Sequence, residues 1–207
     1  MKGQIKAVLF DMDGVLVEAK DWHYEAFNKA LEVFGMPISR SEHLSQYGAK
    51  LAMLTEKKHL PVQLHAFLNN LKQSYTRDII TIRCRPVFCV EYALSRLHHE
   101  GYKIAVCSNS IRASIEMMME KSALLPYIDR IVSNQDVKKG KPDPEMYLKA
   151  MACFGLKPEE CLILEDNENG INAARASGGK LLVIGEVSDT NYFNIRRRID
   201  QIEGGTP

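Results

Sequence analysis

The chain predicts an α/β fold built on a parallel sheet, with a small helical domain inserted after the first strand. Three observations lead there. Five short apolar runs rich in branched residues, at 5–10, 102–107, 131–132, 161–164 and 180–184, have the length and composition of buried strands. Helical stretches at 110–124, 144–154 and 169–177 alternate with the later runs, so strand follows helix follows strand. The second run begins about 90 residues after the first, far beyond the roughly 30 of an ordinary strand–helix–strand unit.

The first run, Ile5-Lys6-Ala7-Val8-Leu9-Phe10, stops abruptly at Asp11-Met12-Asp13-Gly14. In open parallel sheets, ligands bind just beyond the carboxyl ends of strands. Two carboxylates followed by a turn-forming glycine concentrate negative charge there. Such charge is costly unless a cation shares it, and hard oxygen ligands suit Mg²⁺. Alone, the segment reads equally well as a solvated turn. In the inserted region Trp22, Ala26 and Ala30, with Phe27, Leu31 and Phe34, recur at spacings of three and four and form one apolar face. Gly35 and Pro37 end that helix, and Leu51 and Leu54, and later Leu64, Phe67, Leu68 and Leu71, continue the pattern as a core-packing stripe. Gly155 and Gly178 fall where the helices of the sheet region should end. The boundaries expected are 1–16 with 83–207 for a Rossmann-like core and 17–82 for the helical insertion. The run Arg196-Arg197-Arg198 is expected on a solvated helix face.

Composition narrows the function class. Of 207 residues 45% are apolar, enough for a sizeable core, and 27 basic residues balance 26 acidic ones. That balance argues against a general nucleic-acid or membrane binder. Five cysteines, none in a C-x-x-C pair, are expected as free thiols, with Cys107 and Cys161 buried in strands. No leader-like apolar segment opens the chain and no stretch nears 18 apolar residues, so a soluble, cytoplasmic protein is expected.

Three further polar clusters fall on the sheet region: Ser108-Asn109-Ser110 after the second run, Lys141-Pro142-Asp143-Pro144 before a helix, and Glu165-Asp166-Asn167-Glu168-Asn169-Gly170 after the fourth run. Singly they read as a helix cap, a turn and a capped acidic loop. Together, in this order and strand context, Asp11-x-Asp13-Gly14, Ser108-Asn109, Lys141-Pro142 and Glu165-Asp166 resemble the four motifs of the haloacid dehalogenase superfamily of phosphotransferases. The insertion after the first motif further resembles the β-phosphoglucomutase-like subgroup and its phosphatase relatives.

The resemblance implies a role for each matched residue. Asp11 is the expected nucleophile, forming an aspartyl-phosphate. Asp13 is the expected general acid to the leaving alcohol and then base to the hydrolytic water. Asp11, the Asp13 main-chain carbonyl, Glu165 and Asp166 are the expected Mg²⁺ ligands. Ser108, Asn109 and Lys141 are expected to hold the phosphate, Lys141 as a point charge on the transferring group. The insertion is then a cap domain that selects substrate. His23, on its first helix, occupies a position where relatives often carry a histidine near the acid/base aspartate; an exposed helix histidine is the equal alternative. Lys72 and Arg77 are surface charges by preference. The stretch 46–51 stands where the family has a specificity loop, and it looks short for a mutase. The expected activity is hydrolysis of a small phosphorylated metabolite, a sugar phosphate, by a monomeric enzyme. A phosphosugar mutase is the alternative, and a non-catalytic phosphate-binding or partner-binding protein the remaining one.

Overall fold

A computed structural model describes residues 4–45, 54–56 and 59–204, with side chains omitted at 44 and 45. The stretch 46–51 lies outside the described residues. The chain divides into two compact units, one of residues 1–18 and 84–207, the other of residues 19–83.

The first unit is a five-stranded parallel sheet of β1 (Ala7–Phe10), β2 (Lys103–Cys107), β3 (Arg130–Val132), β4 (Cys161–Glu165) and β5 (Lys180–Val183), in the order β3-β2-β1-β4-β5. All five apolar runs are strands, within a residue or two. Every residue of β1 and β4 is buried, as a strand covered on both faces requires. The edge strands differ: Arg130 and Val183 are exposed.

Side-chain alternation assigns the two faces. Ala7, Leu9, Ala105, Cys107, Cys161 and Ile163 pack with Met146, Tyr147, Ala150 and Ala173, which brings two helices, Glu145–Phe154 and Glu168–Ser177, onto one face. The alternate residues Val8, Phe10, Ile104, Val106, Leu162 and Leu164 are equally buried and line the other face. A helix absent from the sequence reading, Phe88–His99, packs there against β2 and against the C-terminal helix Tyr192–Glu203. Its apolar positions Val90, Ala93, Leu94 and Leu97 keep the three–four spacing of an amphipathic helix. The triple-arginine run also differs from expectation. Arg197 is exposed, whereas Arg196 reaches Asp200 at 2.7 Å and the Tyr102 hydroxyl, and Arg198 donates to the Leu181 carbonyl of β5 at 3.1 Å. Long cationic side chains lie along the fold here while their heads find polar partners.

We label the helices in chain order. The second unit holds α1 (Trp22–Glu32), α2 (Arg40–Ser45) and α3 (His65–Arg83). The first unit holds α4 (Phe88–His99), α5 (Arg112–Lys121), α6 (Glu145–Phe154), α7 (Glu168–Ser177) and α8 (Tyr192–Glu203). In the second unit Phe27, Ala30 and Leu31 of α1 close on Leu54, Leu60 and Leu68. The Asn28 amide bonds both main-chain groups of Ile38 at 2.8 Å, returning the chain after α1. Phe67 departs from the expected stripe: it is 52% exposed and meets Phe34 edge-on, while its neighbour Leu68 is fully buried. One residue along a helix is a 100° rotation, which here carries Phe67 off the edge of the face that buries Leu68.

That difference predicts a contrast. Leu68→Ala should destabilise the protein by about 2–5 kcal/mol in urea unfolding, the range for a buried leucine truncated to a cavity. Phe67→Ala should cost about 0.5 kcal/mol or less. Equal losses at the two positions would contradict the packing.

Candidate active site

The strand order places a topological switch point between β1 and β4: from β1 the chain runs outward through β2 and β3, then returns to β4 and β5 on the other side. Crevices at such points, outside the carboxyl ends of the strands, are where open α/β sheets bind ligands. Asp11 follows β1, Ser108 follows β2, and Glu165 closes β4 with Asp166 after it. The Asp11 N–H donates to the Leu164 carbonyl at 3.0 Å, which locks the two strand ends together. Beyond Asp11 the chain turns tightly. The N–H groups of Leu16 and Val17 both reach the Met12 carbonyl, Gly14 adopts φ 87°, and Asp13 bridges to Val17. A left-handed residue is cheap there only because it has no Cβ.

Lys141 enters from the loop before α6 and is buried. Its ammonium donates to Asp11 Oδ1 at 2.6 Å, Glu165 Oε1 at 2.6 Å and the Cys107 carbonyl at 2.8 Å. All three ammonium protons therefore have acceptors. Glu165 is fully buried, and the Tyr147 hydroxyl of α6 donates to the same Oε1. Its Oε2 accepts from the Asp166 N–H at 3.2 Å and the Asn167 amide at 3.3 Å. Space for this carboxylate exists only because residue 170 is glycine: a Cβ there would stand 1.9 Å from Oε1. Asn167 also caps α7, accepting from the Gly170 N–H at 3.1 Å, so one residue starts the helix and braces the carboxylate.

Electrostatics follow from burial. Desolvation pushes the Asp11 carboxyl well above its usual range; Glu165 and Asp13 push in the same direction and Lys141 opposes them. Burial depresses the Lys141 ammonium, but Asp11 and Glu165 outweigh it and hold the group above its ordinary 10.5. Desolvation, with Glu165 and Asp11 beside it, likewise raises the Tyr147 phenol, and burial pushes the Cys107 thiol up to about 12. Excess carboxylate around one ammonium is the condition a divalent cation relieves. Asp11, Glu165 and Asp166 each offer an oxygen, and these lie within 4.8 Å of one another. The donor set is hard and anionic, which fits Mg²⁺.

Of the residues singled out in the sequence, Asp11, Asp13, Ser108, Asn109, Lys141, Glu165 and Asp166 belong to the sheet unit. The Ser108 Oγ accepts from the Ser110 N–H at 3.2 Å. The Asn109 amide engages the Lys141 main chain. In the helical unit His23 on α1 and Lys72 on α3 are half-buried, and Arg77 on α3 is exposed. Tyr147 was missed. Its signal was a lone phenol on the buried Met146–Met151 face of α6, where a hydroxyl must find a partner.

A family model described as haloacid dehalogenase-like hydrolase matches residues 8–184. The chain belongs to that family. Among haloacid dehalogenase-like relatives, a phosphorylated carbohydrates phosphatase of Thermotoga maritima is 28% identical over 182 residues, 84% of this chain and 82% of that protein. A β-phosphoglucomutase of Bacillus subtilis is 26% identical over 192 residues, covering 88% and 84%. The crystal structure of a β-phosphoglucomutase from Clostridium difficile superposes with a TM-score of 0.83 at 20% identity, covering 97% of this chain and 100% of that one, and so shares the fold. Among the described residues no helix is long and apolar enough to cross a membrane.

The pairing of Lys141 carries a testable consequence. A group whose pKa is raised on folding adds stability below its unfolded pKa and loses it as pH climbs through the folded one. In ¹³C-lysine NMR the Lys141 side chain should therefore remain charged through pH 10.5, while surface lysines titrate. Titration of Lys141 alongside them would contradict the double ion pair.

Proposed function

We propose that the protein is a Mg²⁺-dependent phosphatase that hydrolyses a small phosphorylated metabolite, a sugar phosphate, through an aspartyl-phosphate on Asp11. The observation that carries this reading is the Lys141 ammonium bonded to both Asp11 and Glu165 at the switch point of the sheet. A carboxylate nucleophile and an anionic phosphate repel each other, and a fixed cation beside the attacking oxygen offsets that repulsion. Residues of three strand ends and one loop supply the rest.

In this mechanism the Ser108 hydroxyl holds a phosphate oxygen and Lys141, its three protons already bonded, acts on the phosphoryl group as a fixed point charge, while Asp11 attacks phosphorus and the alcohol departs. Asp13, two residues on, gives that alcohol its proton. It then removes a proton from the water that attacks the phospho-aspartate, returning Asp11 to its carboxylate form. Asp11, Glu165, Asp166 and the Asp13 main-chain carbonyl would hold the Mg²⁺ ion, which supplies charge neutralisation for the phosphoryl group. The helical unit is assigned the choice of substrate, because the groups of the sheet unit address only the phosphate. His23 is its candidate polar contributor. All five cysteines are free thiols, which supports a reducing, cytoplasmic setting, and a monomer suffices for the chemistry.

A mutase is the second reading, favoured by the similarity to the B. subtilis β-phosphoglucomutase. The two differ in what attacks the phospho-aspartate. With sugar monophosphates in ¹⁸O-water, hydrolysis should release phosphate carrying the label with no need for a bisphosphate activator. Interconversion of sugar phosphates that depends on a bisphosphate, with little phosphate released, would establish the mutase instead.

Asp11→Asn should abolish turnover and the covalent intermediate, because an amide is a poor nucleophile. Asp13→Asn should lower kcat by about 10²–10⁴-fold on alkyl phosphates. On an activated aryl phosphate the loss should be smaller, since that leaving group scarcely needs a proton. Equal losses on both esters would remove Asp13 from the acid role.

Metal dependence should be equally direct. Excess chelator should stop hydrolysis, Mg²⁺ should restore it, and Ca²⁺, which takes more ligands at longer distances, should substitute poorly. In calorimetric titration Asp166→Ala should bind Mg²⁺ more weakly than the wild type. Full activity in chelator would refute the metal assignment.

A further inference from the structure

The Asn109 amide sits against Lys141 in an arrangement that the motif alone does not explain. Its Oδ1 accepts from the Lys141 N–H at 3.0 Å, and its Nδ2 donates to the Lys141 carbonyl at 3.2 Å. One side chain thus satisfies both main-chain groups of a single residue, as a neighbouring strand would. A primary amide offers a donor and an acceptor on two separate atoms side by side; a hydroxyl has both functions on a single atom, and an ionised carboxylate of similar size only accepts. Turning the amide over would set NH₂ against N–H and C=O against C=O, so the two bonds fix its orientation.

The preceding residue fits the same purpose. A Cβ on Gly140 would lie 2.6 Å from Asn109 Oδ1 and 3.3 Å from its Cγ. Gly140 is exposed and its φ lies outside the left-handed region, so neither core packing nor backbone strain demands glycine there. The Asn109 side chain does. Asn109 itself directly follows Ser108 at the end of β2. The contact therefore ties the Ser108 loop to the Lys141 loop, across 32 residues of sequence.

We propose that Asn109 is a positioning residue that clamps the main chain of Lys141, with Gly140 as its required partner, and so sets where the Lys141 ammonium and the Ser108 hydroxyl stand relative to each other. The inference rests on the phosphoryl-transfer reading for its effect on rate. A lysine side chain is long and flexible, so its three oxygen partners alone leave the chain position behind it free to drift. Misplacement of a reacting group by about 1 Å can cost about 10²-fold in rate.

A double-mutant cycle on Asn109→Ala and Gly140→Ala tests this, with kcat and KM measured on p-nitrophenyl phosphate in Mg²⁺ and melting temperature measured alongside. Asn109→Ala should lower kcat by about 10–100-fold with KM changed by less than about 3-fold. Gly140→Ala, an exposed site that should fold normally, should lower kcat in the same way by pushing the amide off Lys141. The double variant should be no worse than Asn109→Ala alone, because the added methyl then meets no Oδ1. Such non-additivity, in kcat and in melting temperature, marks a direct coupling. A raised KM at unchanged kcat would make Asn109 a substrate contact and overturn the clamp; additive losses would overturn it too. A wild type without turnover would defeat the functional reading instead. The melting temperatures would still decide the clamp: coupled changes uphold it and additive ones reject it.

Discussion

The ammonium of Lys141 is the constraint on which the site depends. A cation buried in a protein needs an acceptor for each proton and compensating charge, or it is expelled or neutralised. Here the acceptors are Asp11, Glu165 and the Cys107 carbonyl, one from each of three adjacent strand ends. Removing one member of such a buried pair typically costs about 3–5 kcal/mol, since the other is left uncompensated. The features around it therefore read as supports. Tyr147, Asn167 and the Asp166 N–H also donate to Glu165, Gly170 yields the space, and the Tyr147 ring lies 4.9 Å from the ammonium.

The sheet makes that convergence possible. Parallel strands direct all their carboxyl ends to one edge, and β1 and β4 are neighbours although about 150 residues separate them in the chain. Both are covered on both faces, so their ends are held by the core rather than by the loops. The polar residues stand one or two positions beyond fully buried apolar runs, where the strand fixes the backbone and the crevice begins. Such placement gives a charged side chain a rigid base.

Phosphatase and mutase relatives at similar identity are intelligible on this architecture. In the mechanism proposed, both reactions share the attack on phosphorus and the phospho-aspartate. They part only over whether water or a sugar accepts the phosphoryl group. That choice concerns groups that exclude water and bind the second substrate, not the Lys141 cluster itself. A common sheet unit is then compatible with either outcome.

Much of this was legible in the sequence because it is local. Strand runs announce themselves by length and branched residues, helix ends by glycines such as Gly155 and Gly178, which adopt left-handed φ of 65° and 80°, and the polar clusters by their place just after the strands. The unread parts depend on which helix face meets what. Phe67 shares its neighbourhood with Leu68 but not its burial. Pairings across the fold were likewise beyond local reading: Lys141 meets Asp11 across 130 residues and Glu165 across 24. Whether Asn109 faces ligand or the Lys141 backbone, and whether Tyr147 is mere packing or a donor to Glu165, is decided only when the strand ends assemble. Composition and spacing determined the sheet, its inserted helical region and the residue types at its edge. Tertiary structure alone decided which of those groups touch, because a hydrogen bond depends on position in space and the chain brings distant positions together only on folding.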